Sequence, residues 1–376
     1  MPAPTTPFQP YAAVHKQTNG PGDARPSSLQ IVEDCNLIGK LSSKTILITG
    51  CSAGIGVDTT RALYETGAKL LLTARDVPKL TKIIDDIVAN AVHNKSGPKP
   101  EAIEIHLDSL ESVRKGAETI KAKSGGKLNI MIANAGVMAT PLGKTPDGFE
   151  SQIGTNHFAH FLLFQLLKPS LLNSAKESGT LSRVITVSSS GHRMSSVRFD
   201  DMFWDKDPAS YNKWSGYGQS KTANVWMANS IHRRYADKGL IGLSLHPGAI
   251  MTTDLKRHLT PEDYALFGDM AAFEQMSKSA SQGAATTVWA ALAPHFEDVG
   301  NGGRYLEDVG ESRPVGGGGG VGDAGYAGWA YEEEGEERLW GVSCSAVGVE
   351  DERALGGGCG GRCLWYWEGL RDGAFS

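Results

Sequence analysis

Residues 45–56 read TILITGCSAGIG: an apolar run, Thr45–Thr49, leads directly into a turn with three glycines, and a helix-length segment follows as far as Gly67. Glycines let the backbone turn tightly and approach a pyrophosphate. The negative charge of the pyrophosphate is then stabilised by the first backbone N–H groups of the following helix. A glycine-rich turn without a ligand would look the same in isolation. The strand before it and the helix pattern after it favour a dinucleotide site.

Short apolar runs alternate with helix-length segments through most of the chain. The runs comprise Thr45–Thr49, Leu70–Thr73, Ile103–His106, Ile130–Ala133, Val184–Ser188 and Gly242–Leu245. This alternation is typical of successive βαβ units, which build a parallel sheet. Because the runs are continuously apolar, both faces of the sheet should be covered by helices. The sequence therefore predicts an α/β fold: a doubly wound, Rossmann-type parallel sheet with helices on both faces, in a single domain.

The regions outside this sheet differ in composition. Residues 1–43 lack sustained periodicity and are interpreted as an N-terminal arm, which precedes a Rossmann-fold domain at 44–310. Residues 311–328 include five consecutive glycines and are predicted to form a flexible loop. The C-terminal segment, 329–376, is interpreted as a short helix within 331–340 and then an irregular tail, to which we assign no function.

Bulk composition argues against several classes of protein. The 376 residues are 40% hydrophobic and 21% charged, which is typical of a globular protein with a sizeable core. A formal net charge of -5 without long runs of Lys and Arg argues against a nucleic-acid partner. The five cysteines include no C-x-x-C pair, so we expect neither a disulfide framework nor a metal site. The sequence has no recognisable export signal or transmembrane segment, so we expect a cytoplasmic protein.

Cofactor choice in such folds is set at the end of the second strand, where an acidic residue would bind both ribose hydroxyls of NAD and repel a 2′-phosphate. Here residues 72–75 read LTAR. Ala74 leaves room where the acid would stand, and Arg75 offers a forked donor for a phosphate. The pattern favours NADP(H) over NAD(H), with the alternative that Asp76 pairs with Arg75 at the surface.

Tyr217 and Lys221 are four residues apart, a spacing that stacks both side chains on one helix face. A lysine charge about 4 Å away would favour the phenolate by ~4 kcal/mol at an effective dielectric of about 20, or about 3 pKa units before desolvation is counted. That shift would bring the tyrosine pKa, ordinarily about 10, into working range for an acid or base. Taken alone, such a pair is more often a solvated helix face.

Three serines, Ser188–Ser190, come directly after the apolar run that begins at Val184. The carboxyl ends of parallel strands face the ligand crevice, so a hydroxyl there can polarise a carbonyl group. The alternative, that the serines only begin a loop and cap the next segment of the chain, would be preferred without Tyr217 downstream.

Nine short motifs occur in order along the chain. They are TGCSAGIG at 49–56, TARD at 73–76, LD at 107–108, ANAG at 133–136, TNHFAHFLL at 155–163, VSSSGH at 187–192, YGQSK at 217–221, HPG at 246–248 and QGAAT at 282–286. The ordered set resembles the short-chain dehydrogenase/reductase family, and within it the retinol-dehydrogenase-like and WW-domain-oxidoreductase-like branch of carbonyl reductases. The chain departs from the family pattern after about Leu306.

The resemblance implies roles for four candidate catalytic residues. Tyr217 would donate the proton during carbonyl reduction, and Lys221 would lower its pKa and hold the nicotinamide ribose. Ser189 would bind the substrate oxygen, and Asn156 would support a water in the proton relay. The implied reaction interconverts an alcohol and a ketone or aldehyde with NADP(H).

The same resemblance implies a set of cofactor-binding residues along the crevice. They are Gly50, Ser52, Ala53, Gly54, Ile55, Gly56, Arg75, Asp108, Asn134, Ala135, Gly136, Tyr217, Lys221, Pro247, Gly248, Ile250 and Thr252. Asp108 would contact the adenine, whereas Ile250 and Thr252 would hold the carboxamide. Three nearby histidines are assigned no chemistry and are expected to be packing residues. These are His157, His160 and His192.

The substrate pocket is predicted from the segments before Tyr217 and after Thr252. Its candidate lining residues are Phe199, Phe203, Trp204, Trp214, Tyr264, Phe267, Met270, Phe273 and Met276. Each of these could instead pack the lid onto the sheet. The lining fits an apolar substrate of steroid-, retinoid-, polyketide- or lipid-like character. The resemblance also implies a homo-oligomer, paired through the helices around Asn156 and Tyr217.

Two rival functions use a similar fold. A non-catalytic NADP(H)-binding sensor or scaffold protein would keep the dinucleotide site and lack the tyrosine or the lysine, both of which are retained here. A nucleotide-sugar epimerase or dehydratase is disfavoured, because the ANAG element has no counterpart in those enzymes. The glycine spacing of residues 49–56 argues in the same direction.

Overall fold

A computed structural model describes residues 6–316 and 323–355 of the chain. At the centre of this part lies an eight-stranded sheet. Its strands are β1 Thr45–Thr49, β2 Lys69–Ala74, β3 Glu101–Glu104, β4 Ile130–Ala133, β5 Ser182–Val187, β6 Leu240–Leu245, β7 Tyr305–Glu307 and β8 Gly310–Glu311. In space they run in the order β3-β2-β1-β4-β5-β6-β7-β8, and all pair in parallel except the short β8.

Helices connect and cover these strands. They are α1 Ala12–His15, α2 Ser28–Asp34, α3 Ile55–Tyr64, α4 Val77–Ala89, α5 Leu110–Ser124, α6 Ser151–Ile153, α7 Ala159–Ser178, α8 Lys213–Tyr235, α9 Pro261–Tyr264, α10 Met270–Met276, α11 Ala280–Leu292, α12 Glu333–Val347 and α13 Glu352–Leu355. Several begin directly after a residue whose side chain accepts a hydrogen bond from one of the first backbone N–H groups of the helix. These capping residues are Asp76 for α4, Ser109 for α5, Asn212 for α8 and Ser279 for α11. Among the described helices, none has the length and apolarity to cross a membrane.

The strand order changes direction between β1 and β4, which are direct neighbours in the sheet. In doubly wound sheets the ligand crevice lies outside the carboxyl ends of the strands at such a switch point. The predicted fold class, a doubly wound parallel sheet with helices on both faces, is confirmed. It places the glycine turn that follows β1 at the switch point.

Side chains of the central strands alternate between two apolar cores on opposite faces of the sheet. On one face, Leu47 and Met131 pack with residues of α5, α7 and α8. On the other face, Ile46 and Ile132 pack with residues of α3, α4 and α11. Because both faces are covered, these strands are continuously apolar in the sequence.

The sheet edges differ from the sequence prediction. The edge strand β3 begins at Glu101 rather than Ile103, because an edge strand tolerates polar residues that hide its start from an apolar pattern. The strands β7 and β8 were not predicted at all. Each is three residues or fewer, too short to produce a recognisable pattern.

The C-terminal helix α12 packs on the outer faces of α7 and α8. The Trp340 ring lies 5.0 Å from that of Phe161, and Asn229 Nδ2 donates to Glu336 Oε1 at 2.8 Å. The helix is longer than the one predicted within residues 331–340, because its apolar face continues to Val347. The resemblance implies pairing through the helices around Asn156 and Tyr217, and α12 packs on these helices; the homo-oligomer stays a prediction.

Residues on either side of the glycine run are hydrogen-bonded to the rest of the molecule. Val315 N and Tyr326 O are 2.9 Å apart, and His295 Nε2 lies 2.9 Å from Glu311 Oε1. The described ends of the predicted flexible loop are therefore fixed by these contacts. The glycine-rich residues between them, and the tail beyond residue 355, lie outside the described residues.

Candidate active site

A cavity of about 840 Å³ opens at the carboxyl ends of the parallel strands. Every residue predicted to bind the cofactor lines this cavity except Thr252, whose side chain is exposed. Its neighbour Thr253 lines the cavity instead and packs on the glycine turn, where a Cβ added to Gly54 would lie 3.3 Å from Thr253 Cγ2. Thr253 therefore replaces Thr252 among the candidate cofactor ligands.

The glycine turn excludes side chains by close approach of the backbone. Gly50 has a φ of +73°, and a Cβ there would lie 2.8 Å from Ala135 Cα. A Cβ on Gly56 would lie 2.2 Å from the Gly50 carbonyl oxygen. No side chain caps the start of α3 at Ile55, so its first amides are available to an anion.

Thr49 and Asn134 hold the turn against the end of β4. Asn134 Nδ2 donates to the Thr49 carbonyl at 2.8 Å, and the backbone N–H of Asn134 donates to Thr49 Oγ1 at 3.0 Å. The Asn134 Oδ1 atom is buried and has no hydrogen-bond partner among the described residues. A free acceptor beside the cavity fits a ligand with hydroxyl donors, such as a ribose.

Arg75 stands at the cavity wall just after β2, with an exposed side chain. The neighbouring carboxylate of Asp76 is used elsewhere, because its Oδ1 accepts the Lys79 N–H at 2.8 Å as the cap of α4. No described residue forms an ion pair with Arg75. The predicted alternative, an Arg75–Asp76 surface pair, is therefore absent here.

All three serines after β5 line the cavity, but the hydroxyls of Ser188 and Ser189 have different partners. Ser188 is buried, and its hydroxyl donates to the Lys221 carbonyl at 2.7 Å. Ser189 lines the cavity, accepts the Gly191 N–H at 3.0 Å and is hydrogen-bonded to Tyr217. A Cβ on Gly191 would lie 2.7 Å from Tyr217 Cε1, so the glycine allows the ring to approach the serine. The role of Ser189 as the hydroxyl that binds the substrate oxygen stays a prediction.

Tyr217 and Lys221 are both buried on α8 and line the cavity. Lys221 Nζ lies 5.7 Å from the centroid of the Tyr217 ring and donates to the Val187 carbonyl at 3.0 Å. Burial raises the pKa of Tyr217 to about 12, although the Ser189 hydrogen bond lowers it, and burial lowers the pKa of Lys221 to about 8. The predicted lowering of the tyrosine pKa is wrong in this structure, because the desolvation of the buried phenolate outweighs the hydrogen bond with Ser189.

Asn156 lies in a π-helical turn, Gly154–Phe158, and is fully buried. Its Oδ1 accepts the Val137 N–H at 2.8 Å, and its Nδ2 donates to the Val137 carbonyl and to Ser220 Oγ, both at 2.9 Å. The side chain thus ties the loop after β4 to α8. Because it is committed to these contacts, any support of a relay water would fall to the Asn156 backbone carbonyl.

His160 connects two parts of the site that the sequence treats separately. Its Nδ1 lies 3.0 Å from the Asn156 carbonyl, and its Nε2 lies 2.9 Å from Thr49 Oγ1. Burial lowers its pKa to about 4, so the ring is neutral, donates from Nδ1 and accepts at Nε2. The prediction of a simple packing residue misses this bridge. The four-residue spacing from Asn156 was the available signal.

His192 connects the serine loop to the C-terminal segment. Its Nδ1 lies 2.6 Å from the Ser189 carbonyl, and the Ala327 N–H donates to its Nε2 at 3.0 Å. Burial lowers its pKa to about 4, which keeps the ring neutral. The contacts of His192 fix the backbone that carries Ser189.

His157, also predicted as a packing residue, is buried, and its Nε2 is hydrogen-bonded to Ser343 on α12.

A lid, residues 254–276, covers one side of the cavity with α9, α10 and two turns of 3-10 helix. Three of the predicted pocket residues line the cavity: Phe267, Phe273 and Met276. The other six do not line it, which corrects the prediction: Met270 is 41% exposed, and the remaining five pack on other aromatic rings, namely Phe199, Phe203, Trp204, Trp214 and Tyr264. For example, Phe203 packs on Phe149 at a ring distance of 5.6 Å, and Trp204 packs on Tyr211 at 5.0 Å.

Comparison with known proteins places these features in a family. Residues 44–200 match the family described as short chain dehydrogenase. Short-chain dehydrogenase/reductase prx1 of Penicillium roqueforti is 43% identical over 341 residues, which cover 91% of this chain and 96% of that protein. Retinol dehydrogenase 12 of Mus musculus is 32% identical over 318 residues, covering 85% of this chain and 90% of that protein.

A solved structure shows the same fold. The crystal structure of an uncharacterised protein from Mycobacterium paratuberculosis matches with a TM-score of 0.59 and 28% identity, covering 82% of this chain and 98% of that chain. Members of the matched family bind NAD(P)(H), and the uncapped start of α3, the bare glycine turn and the free Asn134 Oδ1 fit such a dinucleotide. The protein therefore belongs to the short-chain dehydrogenase/reductase family, in its retinol-dehydrogenase-like branch, and is a nucleotide-binding oxidoreductase.

Proposed function

We propose that this protein is an NADP(H)-dependent oxidoreductase that interconverts an alcohol and a ketone or aldehyde on a hydrophobic small molecule. The observation that carries the proposal is the convergence of Ser189, Tyr217 and Lys221 on the cavity that the glycine turn also lines. A proton donor, a second hydroxyl and a cation are thereby placed beside the dinucleotide crevice.

The preference for NADP(H) rests on the end of β2. Ala74 is small and buried, so no carboxylate stands where the ribose hydroxyls of NAD(H) would be bound. Arg75 is exposed at the cavity wall without a carboxylate partner among the described residues. Its guanidinium can therefore donate two parallel hydrogen bonds to the oxygens of a 2′-phosphate.

Each of these three side chains has a separate role in the proposed carbonyl reduction. The bound cofactor supplies the hydride that reaches the carbonyl carbon. Tyr217, protonated at neutral pH because burial raises its pKa to about 12, donates its proton to the carbonyl oxygen. Ser189 accepts the Gly191 N–H, which leaves its own hydrogen to donate to the same oxygen. Lys221, held by the Val187 carbonyl, stabilises the phenolate that forms and would hold the nicotinamide ribose.

The substrate class is supported by the lining of the cavity beyond Tyr217. The lid contributes the apolar side chains of Phe267, Phe273 and Met276, and Met138 adds another. Burial of such a surface favours an apolar or ring-containing carbonyl compound over a small polar one. Steroid-, retinoid-, polyketide- and lipid-like molecules all meet this requirement.

The pH dependence of NADPH oxidation tests this assignment. Below about pH 8, Lys221 carries its charge, since burial lowers its pKa only to about 8, and Tyr217 keeps its proton. Reduction should therefore be constant near neutral pH and fall as the pH rises through about 8, whereas alcohol oxidation, which needs a deprotonated Tyr217, should rise. The measurement is kcat/KM against a panel of hydrophobic ketones and aldehydes, followed by absorbance.

The same experiment can contradict the proposal. A reductive rate that increases steadily through pH 8, where Lys221 loses its charge while Tyr217 keeps its proton, would mean that the Lys221 charge is not needed. Alcohol oxidation that falls over the same range would oppose the assigned proton direction. NADH supporting the reaction better than NADPH would reject the cofactor assignment while leaving the tyrosine chemistry in place.

A further inference from the structure

The N-terminal arm packs on the junction between the lid and the core. The Gly20 N–H donates to the Gln275 carbonyl at 2.8 Å, near the end of α10. Farther along the arm, the Ser28 and Ser281 hydroxyls lie 3.1 Å apart, where α2 meets α11. The arm therefore contacts both elements that flank the turn at residues 277–279.

Arg25 is the centre of this contact. Arg25 also lies in the cavity wall, but its side chain is only 2% exposed, and Nη1 donates to the Met276 carbonyl at 2.7 Å. Nη2 donates to the Ser277 carbonyl at 2.6 Å and to the Gly20 carbonyl at 3.1 Å, and Nε donates to Asp23 Oδ1 at 2.8 Å. Four hydrogen bonds to the protein occupy most of the guanidinium, as a buried charge requires. Arg25 thus joins the arm to the last carbonyls of the lid helix.

Gln282 holds the same junction from the core side. Its Oε1 accepts the Gly22 N–H at 2.9 Å and the Ser279 N–H at 3.0 Å. Its Nε2 donates to Asp23 Oδ1 at 3.0 Å and to the Arg25 carbonyl at 3.1 Å. One amide therefore caps α11 and binds the arm, so the position of the arm is fixed relative to the core.

Lys278, in the middle of this turn, is attached by separate contacts to Ala249 in the loop after β6 and to Asp308 after β7. The Lys278 N–H donates to the Ala249 carbonyl at 2.7 Å, and Lys278 Nζ lies 2.6 Å from Asp308 Oδ1. A Cβ on Gly248 would lie 2.7 Å from Lys278 Cδ. These contacts hold the loop after β6 without Arg25. Loss of Arg25 should therefore loosen the lid more than the dinucleotide crevice.

We propose that Arg25 is a positioning residue. It fixes the end of lid helix α10 from the N-terminal arm and thereby sets the positions of the lid side chains that line the substrate half of the cavity, the part beyond Tyr217. Phe273 and Met276, which line that half, lie on α10 itself. Loss of the hydrogen bonds to the Met276 and Ser277 carbonyls would let the end of the helix move. The positions of the Phe273 and Met276 side chains in the cavity wall would then vary more. The effect on substrate rests on the proposed function, whereas the effect on the lid does not.

The test compares Arg25→Ala with the wild type by hydrogen exchange and by cofactor and substrate titration. Amide exchange in residues 270–278 should accelerate by about tenfold or more, since hydrogen bonds from a charged donor are lost. NADPH affinity, measured by fluorescence, should stay within about twofold, while KM for a hydrophobic carbonyl substrate rises about tenfold and kcat changes less. Arg25→Lys keeps the positive charge but lacks the forked guanidinium. It should also accelerate lid exchange and raise KM, but by smaller factors.

Arg183→Ala is the matched control. This arginine is also buried, and it donates to the Ala290 and Ala291 carbonyls at the far end of α11. It should lower overall stability without selective exchange in the lid. Equal lid exchange in Arg25→Ala and Arg183→Ala, or a loss of NADPH affinity as large as the rise in KM, would overturn the proposal.

The two proposals fail in different ways. Lid exchange that responds to Arg25→Ala in a protein without turnover on any carbonyl would support the positioning role and reject the proposed function. Turnover with wild-type lid exchange in both Arg25→Ala and Arg25→Lys would support the proposed function and reject the positioning role. Exchange data are obtained without turnover, so each result can be assigned.

Discussion

Tyr217→Phe should abolish most carbonyl reduction, lowering kcat by about 10²- to 10⁴-fold, the contribution expected of a positioned general acid. The substitution removes a single oxygen from a ring that is already buried, so the packing around Gly191 is retained. Because the other predicted cofactor-binding residues are unchanged and the phenol hydroxyl is proposed to act mainly on the reacting oxygen, NADPH affinity should change little. The measurements are kcat with a hydrophobic ketone and NADPH binding by fluorescence.

Tyr64→Phe provides the matched control for this variant. Tyr64 is also buried, but its hydroxyl donates to the Gly97 carbonyl at 3.3 Å, outside the cavity lining. It should retain nearly wild-type turnover. Equal loss of turnover in both variants would assign the effect to packing, and full turnover in Tyr217→Phe would remove the tyrosine from the proposed chemistry.

Arg75→Ala should weaken NADPH binding by about 10- to 100-fold and leave NADH binding nearly unchanged. The reason is that hydrogen bonds from this exposed guanidinium to a phosphate, which compete with water, should contribute about 1.5–3 kcal/mol in total, and only NADPH carries the 2′-phosphate that would receive them. Arg75 is exposed, so its removal should not disturb the core. Dissociation constants for both dinucleotides, measured at one ionic strength, provide the comparison.

Arg61→Ala is the control for a general loss of positive charge. Arg61 lies on α3 and pairs with Asp86 at 2.7 Å at the surface. It should affect both dinucleotides by less than about twofold, as expected for an exposed ion pair. If Arg75→Ala weakened NADPH and NADH binding equally, Arg75 would not be the determinant of cofactor choice.

The sheet could be predicted from the sequence because its central strands are continuous apolar runs. Thr45–Thr49 is predicted to the residue, since all five of its side chains are buried. The glycine turn was predictable for a related reason: the close contacts of Gly50 and Gly56 leave no room for another residue. Short edge strands such as Tyr305–Glu307 carry no comparable signal.

Features of the site that depend on distant contacts could not be predicted in this way. Arg25 and Met276 are 251 residues apart, and His192 and Ala327 are 135 residues apart, so no local spacing joins them. The pKa of Tyr217 illustrates a second limit. The spacing to Lys221 predicts a charge nearby, but burial, which only the packed structure shows, raises the pKa to about 12.

Transfer of deuterium from NADPH that carries deuterium at both C4 positions of the nicotinamide tests the central claim most directly. The protein would be incubated with this NADPH and a set of hydrophobic ketones and aldehydes, and the products examined by mass spectrometry. The account predicts an alcohol with one deuterium on the former carbonyl carbon, formed by the wild type and nearly absent with Tyr217→Phe. NADPH that binds tightly without deuterium reaching any carbonyl carbon would contradict it and favour a non-catalytic NADP(H)-binding sensor.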